Sequence, residues 1–492
     1  MSLTFILIPF IASAILLLLR PGGSRSIALL ASLANLAATA YCVSCDYSQG
    51  MNCTFSVPWV ASAGISFSLG MDGITLVMLV LTNLLGPLII LSSWSRTYDN
   101  EPRFYGLVLL MLGALNGVFL AQDGLLFYVF YELALIPIYF ICAIWGGQDR
   151  IRVTLKFFIY TFVGSLFMLV ALLWVYLQTN VSGLPAGAPG SIAQHSFAWA
   201  DLVAVQLSPN AANWVLLGFF LAFAVKMPVF PLHTWQPDTY VISPTGGTML
   251  LSGIMLKMGV YGVIRWMIPL APEAMHTLNP IFISLAVFGI LYASIIAVKQ
   301  SDFKRLVAYS SIAHVGLIAA GVLAWNKPGV QGGILQMLNH GINVVGLFFI
   351  VDLLERRLGT RSLADMGGIA KSAPKFATLF MIIVLGSVAV PLTNGFPGEF
   401  LLLNGVWNYN FWLGAIAGLT IIFGAIYMLR AYGMVVFGET KPETANFADV
   451  NSREFLILGI IAGLVIVLGF FPQSVLGLTE VSVDRILRAV QL

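Results

Sequence analysis

Charge is what this 492-residue sequence most conspicuously lacks: Asp, Glu, Lys and Arg together make up 9% of it. A soluble chain carries about a quarter, so this one does not have the polar side chains to cover a water-soluble globule. The net charge of +3 is too small to point to nucleic acid. Cysteine is scarce as well, with four residues, Cys42, Cys45, Cys53 and Cys142. Cys42 and Cys45 have metal-ligand spacing, but no second pair or nearby histidine completes a zinc or iron–sulfur site. They read as buried or loop thiols, with a disulfide among the three residues of the 42–53 region as the alternative. No glycine-rich phosphate loop or dinucleotide fingerprint occurs, so the chain shows no site for an energy source of its own. The opening MSLTFILIPFIASAILLLLR has no basic n-region of a cleaved signal peptide and reads as a retained first span.

What the sequence has instead is apolar length, 59% of its residues. About 20 mostly apolar residues carry a helix across a bilayer. By that rule the chain is all-α, a single polytopic membrane domain with fourteen spans, at 3–20, 26–43, 69–93, 104–121, 124–145, 156–178, 212–233, 244–268, 277–298, 303–324, 330–354, 374–402, 410–436 and 454–472, followed by an amphipathic tail. Seventeen of the 24 basic residues fall in loops after odd-numbered spans. The opposite side has Arg265, Lys327, Arg485 and Arg488, and Lys226, Lys257 and Arg430 lie within spans. Basic loops stay in the cytoplasm, so both termini are expected outside.

Two spans carry breaks. Span seven reads FAVKMPVFPLHTW, with Pro228 and Pro231 just after Lys226; span twelve reads VAVPLTNGFPGEF, with Pro391, Gly395, Pro397 and Gly398 just before Glu399. Proline removes a backbone donor, and inside a membrane such breaks survive only where protein or water satisfies the freed groups. Broken helices at matching places in two halves mark inverted-repeat transporters. The breaks lie five spans apart, which predicts two inverted repeats, spans four to eight (104–268) and nine to thirteen (277–436). The competing reading is two unrelated proline kinks.

Six ionisable side chains fall at membrane depth: Glu132, Lys226, Lys257, His314, His340 and Glu399. A charge at the bilayer centre costs about 2.5–3.5 kcal/mol or more, so each needs a reason. Singly, the lysines also read as snorkelling anchors, the histidines as packing residues, Glu132 as half of a structural ion pair and Glu399 as a cap on the broken helix. As a set they have the composition of a proton relay, in which a carboxylate and an ammonium exchange a proton as their pairing changes and imidazole carries it onward. His233, seven residues after Lys226, is a further candidate.

The stretches FYELALIPIYF, KFFIYTFVGSLFML, AFAVKMPVFPLHTWQPD, LLSGIMLKMGVYGVIRW, SDFKRLVAYSSIAHVGLI, QMLNHGINVVGLF and GFPGEFLLL resemble the antiporter-like subunits of NADH–quinone oxidoreductase, respiratory complex I. The resemblance is strongest over 104–402. Within that family, Glu399 and FYELALIPIYF are most similar to the M branch, since the L and N branches place a lysine in span twelve. One departure is ISPTGGTMLLSG at 242–253, where relatives read APTAGS; it leaves the ionisable residues untouched. The resemblance implies Glu132 and Lys226 as a coupled pair, Lys257 as central relay, His314 and His340 as its continuation and Glu399 as the outward half-channel. It also implies no cofactor in this chain, with flavin, iron–sulfur clusters and quinone in partner subunits. The partners would be other membrane-arm subunits, sister antiporter-like subunits among them, in a bacterial inner membrane. Multisubunit cation/proton antiporters and membrane-bound hydrogenases are the alternative within the same superfamily, and a purely structural scaffold is the alternative outside it.

The charge asymmetry makes a first prediction. In cysteine-accessibility labelling, positions in 355–373 react from the cytoplasm and positions in 179–211 from outside. Reaction of 179–211 only from the cytoplasm would overturn the orientation.

Overall fold

The computed structural model describes residues 1–47, 50–180 and 195–490. The centre of the 179–211 loop therefore lies outside the described residues. Among the described residues twelve helices are long and apolar enough to cross a membrane, and the shorter apolar helices Thr4–Leu19 and Pro374–Ser387 supply spans one and twelve, which completes the fourteen expected. Span eight (Thr245–Leu270) and span eleven (Lys327–Leu358) are 100% buried over their most apolar stretch, and span ten (Phe303–Leu323) 94%. Span two (Ser24–Val43), span thirteen (Phe411–Val436) and span fourteen (Ser452–Phe470) are about one-third buried and turn leucine, isoleucine and phenylalanine outward. The buried inner helices are the ones that carry Lys257, His314 and His340.

Both expected breaks are present, and the chain itself satisfies the groups they free. Span seven runs from Pro209 to Lys226 and resumes as Gln236–Ile242. With proline at 228 and 231, Val229 N donates back to Ala224 O at 2.9 Å, which leaves Val225 O to accept from Trp235 Nε1 at 2.9 Å. Span twelve stops at Ser387 and resumes as Gly395–Tyr409. Between them Ala389 and Leu392 take left-handed φ values of 54° and 73°. Asn394 N donates to Val465 O of span fourteen at 2.8 Å, and Asn394 O accepts from Asn339 Nδ2 of span eleven at 2.6 Å. The Asn343 and Asn394 side-chain amides bond each other reciprocally at 3.0 and 3.1 Å.

Two further irregularities were not foreseen. Span five (Gly124–Trp145) is interrupted between Leu133 and Leu135, immediately after Glu132; Pro137 has no N–H to offer Leu133 O. Span eight contains π-helical turns at Leu251–Met255 and Val263–Met267, one on each side of Lys257, a feature frequent at functional sites.

One end of the bundle carries an antiparallel hairpin, β1 (Asn52–Val60) with β2 (Ile65–Met71), and the amphipathic helix Gln473–Ala489, the expected tail. β2 leads into span three (Gly73–Ser93), whose N-cap Asp72 accepts from Thr75 N at 2.9 Å and pairs with buried Arg265 at 2.6 Å. The other end is a basic network. Buried Asp352 accepts from Arg96 just past span three, Arg356 Nε at 2.8 Å and Thr245 Oγ1 at 2.5 Å, and Glu454 accepts from Arg357 at 2.5 Å.

Asp72–Arg265 makes a stability prediction. Asp72→Asn keeps the helix cap but leaves a buried guanidinium without its counter-charge, at a cost of about 3–5 kcal/mol. A lower thermal unfolding midpoint in detergent is expected, with most of the loss recovered in the Asp72→Asn/Arg265→Met double variant.

Candidate functional site

The site is built on spans eight, ten, eleven and twelve. Spans eight and eleven cross closely at Gly253 and Gly341: a Cβ on Gly341 would come within 2.8 Å of Gly253 O, and one on Gly253 within 2.7 Å of Val345. That approach brings Lys257 Nζ to 2.9 Å from His340 Nδ1, and the ammonium also donates to Ser252 O at 2.5 Å. The His340 ring centroid lies 5.9 Å from that of His314 on span ten. His314 Nδ1 lies 3.0 Å from Glu399 Oε1, on the second half of broken span twelve. Glu399 also accepts from Gln336 Nε2 at 3.3 Å. All four ionisable groups are buried, and they follow one another as Lys257, His340, His314, Glu399, in direct polar contact except between the two histidine rings.

A small cavity of 10 Å³ opens between the two histidines, lined by Ser310, Ser311, Gln336, Asn343 and Ser387 among others. That is room for about one water, and the lining is polar enough to hold it. Gln336 reaches Glu399 only because residue 398 is glycine; a Cβ there would stand 2.3 Å from Gln336 Oε1.

Glu132 and Lys226 form a second group. Lys226 is buried, its Nζ 4.7 Å above the centre of the Tyr131 ring and without a hydrogen-bond partner. Glu132 Oε1 is also buried without a partner. The two charges act on each other through space, not by direct hydrogen bonding. Lys226 is the last residue before its break, whereas Glu399 sits in the second turn after its own, so they do not occupy the same place relative to the two interruptions. His233 stands apart from both groups, packed against the rings of Phe230 and Tyr292. None of the four cysteines is paired in this structure, and no cluster of three or more metal-ligating side chains occurs among the described residues.

One of the loop cations counted above is buried instead of solvated. Lys304 is buried in the first turn of span ten, where it donates to Val241 O at 3.2 Å and Ser243 O at 2.8 Å and so caps the second half of broken span seven. The signal was present in SDFKR: Asp302 is an N-cap, accepting from Arg305 N at 3.0 Å, so the helix starts before the lysine. Asp352 and the Asp72–Arg265 pair were also missed, because their partners lie far away in the chain.

Known proteins resemble the chain over most of its length. A family model described as NADH:quinone oxidoreductase/Mrp antiporter, TM, matches residues 121–424. NADH-quinone oxidoreductase subunit M of Rickettsia conorii is 40% identical over 87% of this chain and 85% of its own length. A chain of respiratory complex I from Thermus thermophilus with bound NADH superimposes with a TM-score of 0.89 at 33% identity, over 100% of both chains. A chain of the Mrp complex from Dietzia superimposes with a TM-score of 0.86 at 20% identity, over 99% and 98%, and shares the fold.

Gly398→Val tests the local geometry. The added side chain displaces the Gln336 amide from Glu399 while leaving every ionisable group in place. Proton transfer is expected to fall severalfold with assembly retained, measured as quenching of a pH-sensitive dye in sealed vesicles. Unchanged transfer would show that the Gln336 contact is dispensable.

Proposed function

The chain belongs to the NADH:quinone oxidoreductase/Mrp antiporter transmembrane family, and from that premise we propose that it is the M-type membrane subunit of a proton-translocating NADH–quinone oxidoreductase. The observation that carries the reading is the buried contact sequence from Lys257 to Glu399. A hydrogen-bonded run of groups that each gain and lose a proton is what proton movement through a dry interior requires. His340 takes a proton at Nδ1 from the Lys257 ammonium and releases one from the other face of its ring. The gap to His314 has room for one bridging water. His314 then hands a proton to Glu399 across 3.0 Å.

Lys226 and Glu132 serve the loading step in this reading. A carboxylate near a buried ammonium stabilises the charged form, and separating the two charges releases the proton. The breaks beside each residue supply local freedom for that separation. His233 has no contact that assigns it a part. Spans four to eight and nine to thirteen act as two inverted units, with both termini on the periplasmic side of a bacterial inner membrane. The redox chemistry, with flavin, iron–sulfur clusters and quinone, resides in partner subunits, and sister antiporter-like subunits are the expected neighbours.

Two measurements test the proposal. The chain should co-purify with NADH-oxidising activity and iron–sulfur absorbance; a complex that exchanges cations for protons and has neither would instead be an Mrp-type antiporter. Within the assembled complex, Lys257→Ala should lower NADH-driven proton transfer by about tenfold or more. Lys257→Arg should not restore it, because arginine stays charged and cannot release a proton. Glu399→Gln keeps size and hydrogen bonding but not titration, and should fall as far. Normal transfer in Lys257→Arg would show that a fixed positive charge suffices.

A further inference from the structure

Three of the four thiols gather at the hairpin end of the bundle. Cys42 is buried in the last turn of span two, and Cys45 and Cys53 are partly exposed. Cys53 lies in β1 where the pairing register with β2 slips between Asn52 and Phe55. Its φ is 50°, a left-handed conformation uncommon for a residue with a Cβ. Asn52 Oδ1 accepts from Cys53 N at 2.6 Å and holds the distortion in place. A bulge re-aims the side chain it carries, and Cys53 lies near enough to Cys42 at the end of span two for the two thiols to act on each other. Cys45 is directed elsewhere, its Sγ donating to Tyr41 O at 3.8 Å. Tyr47 closes the connection, its hydroxyl donating to Cys42 O at 2.9 Å and lying 3.1 Å from Met71 Sδ on β2.

We propose that Cys42 and Cys53 form a disulfide that ties the end of span two to the hairpin, with Cys45 left free. The inference rests on the orientation read from the basic loops, which places this end outside the cytoplasm, where disulfides persist. The oxidant is an external disulfide, of the thiol–disulfide oxidoreductase or glutathione disulfide class. The more exposed Cys53, as thiolate, attacks one sulfur of that disulfide; the S–S bond breaks and the first external thiol leaves with a proton. Cys42, as thiolate, then attacks the Cys53 sulfur of the mixed disulfide and expels the second external thiol. The two protein thiols give up two electrons and two protons, and the external disulfide becomes two thiols.

The bond would anchor β1, whose partner β2 runs directly into span three and its Asp72–Arg265 pair. It closes no part of the proton path, so the Cys42→Ser/Cys53→Ser variant should pump normally while losing the link.

The test uses the intact complex prepared without reductant, with free thiols blocked by iodoacetamide. Cyanogen bromide cleavage after Met51 separates residues 2–51, which hold Cys42 and Cys45, from residues 52–71, which hold Cys53. The two fragments should stay joined until reductant is added. The link should survive Cys45→Ser and vanish in Cys42→Ser. A link lost in Cys45→Ser, or a Cys53 found fully alkylated before reduction, overturns the proposal. A membrane-impermeant maleimide, applied after reduction to right-side-out and inverted vesicles, locates the cause of failure. Labelling from outside leaves the orientation standing and the pairing wrong; labelling only in inverted vesicles overturns the orientation and the disulfide with it.

Discussion

Inside a bilayer every backbone polar group and every charge must find its partner within the protein, and the architecture around the ionisable residues follows from that constraint. A broken helix is useful because it exposes backbone and admits water, and it is costly for the same reason. Span eleven reconciles the two. Gln336, Asn339, His340 and Asn343 recur at helical spacing, so they share one face. Asn339 and Asn343 bond the broken segment of span twelve, while Gln336 and His340 bond Glu399 and Lys257. The helix face that repairs the break also holds Lys257 and Glu399, which ties the position of Glu399 to the position of His340.

Much of this was legible in the sequence for a physical reason. Where charge is so rare, an ionisable residue in the middle of an apolar run stands out, and proline within a long apolar run has few meanings. Glu132, Lys226, Lys257, His314, His340 and Glu399 could therefore be picked out singly, and the two breaks located to within a few residues. The grouping could not. Nothing in the local sequence says that Lys257 meets His340, 83 residues away, or that Lys226 lies over Tyr131 without meeting a hydrogen-bond acceptor. The hairpin escaped because β1 is mostly exposed and contains Pro58, which argues against a strand. Lys304 escaped because a cation beside a predicted helix end looks solvated until the neighbouring carbonyls of Val241 and Ser243 are in view.

The two lysines differ in what each is in contact with. Lys257 is held by Ser252 O and His340, so its proton has an acceptor already in contact. Lys226 has only an aromatic face and a distant carboxylate. Lys226 therefore exchanges a proton only where water or motion brings an acceptor to it. The backbone interruptions after Lys226 and beside Glu132 lie where such motion is needed.

Span eight shows how that motion is confined. Near its start Thr245 donates to Asp352, which is itself held by Arg96 and Arg356. Near its end Arg265 is paired with Asp72 on the cap of span three. Both anchors are buried, so the helix does not slide as a rod without leaving a charge uncompensated. Its two π-turns lie between or at these anchors and flank Lys257. An extra residue in a helical turn is local slack, and winding it tighter rotates what lies between. The freedom left to span eight is therefore rotation of its middle, where Lys257 sits. A small rotation there is enough to make or break a 2.9 Å contact with His340, while the two ends of the bundle stay fixed.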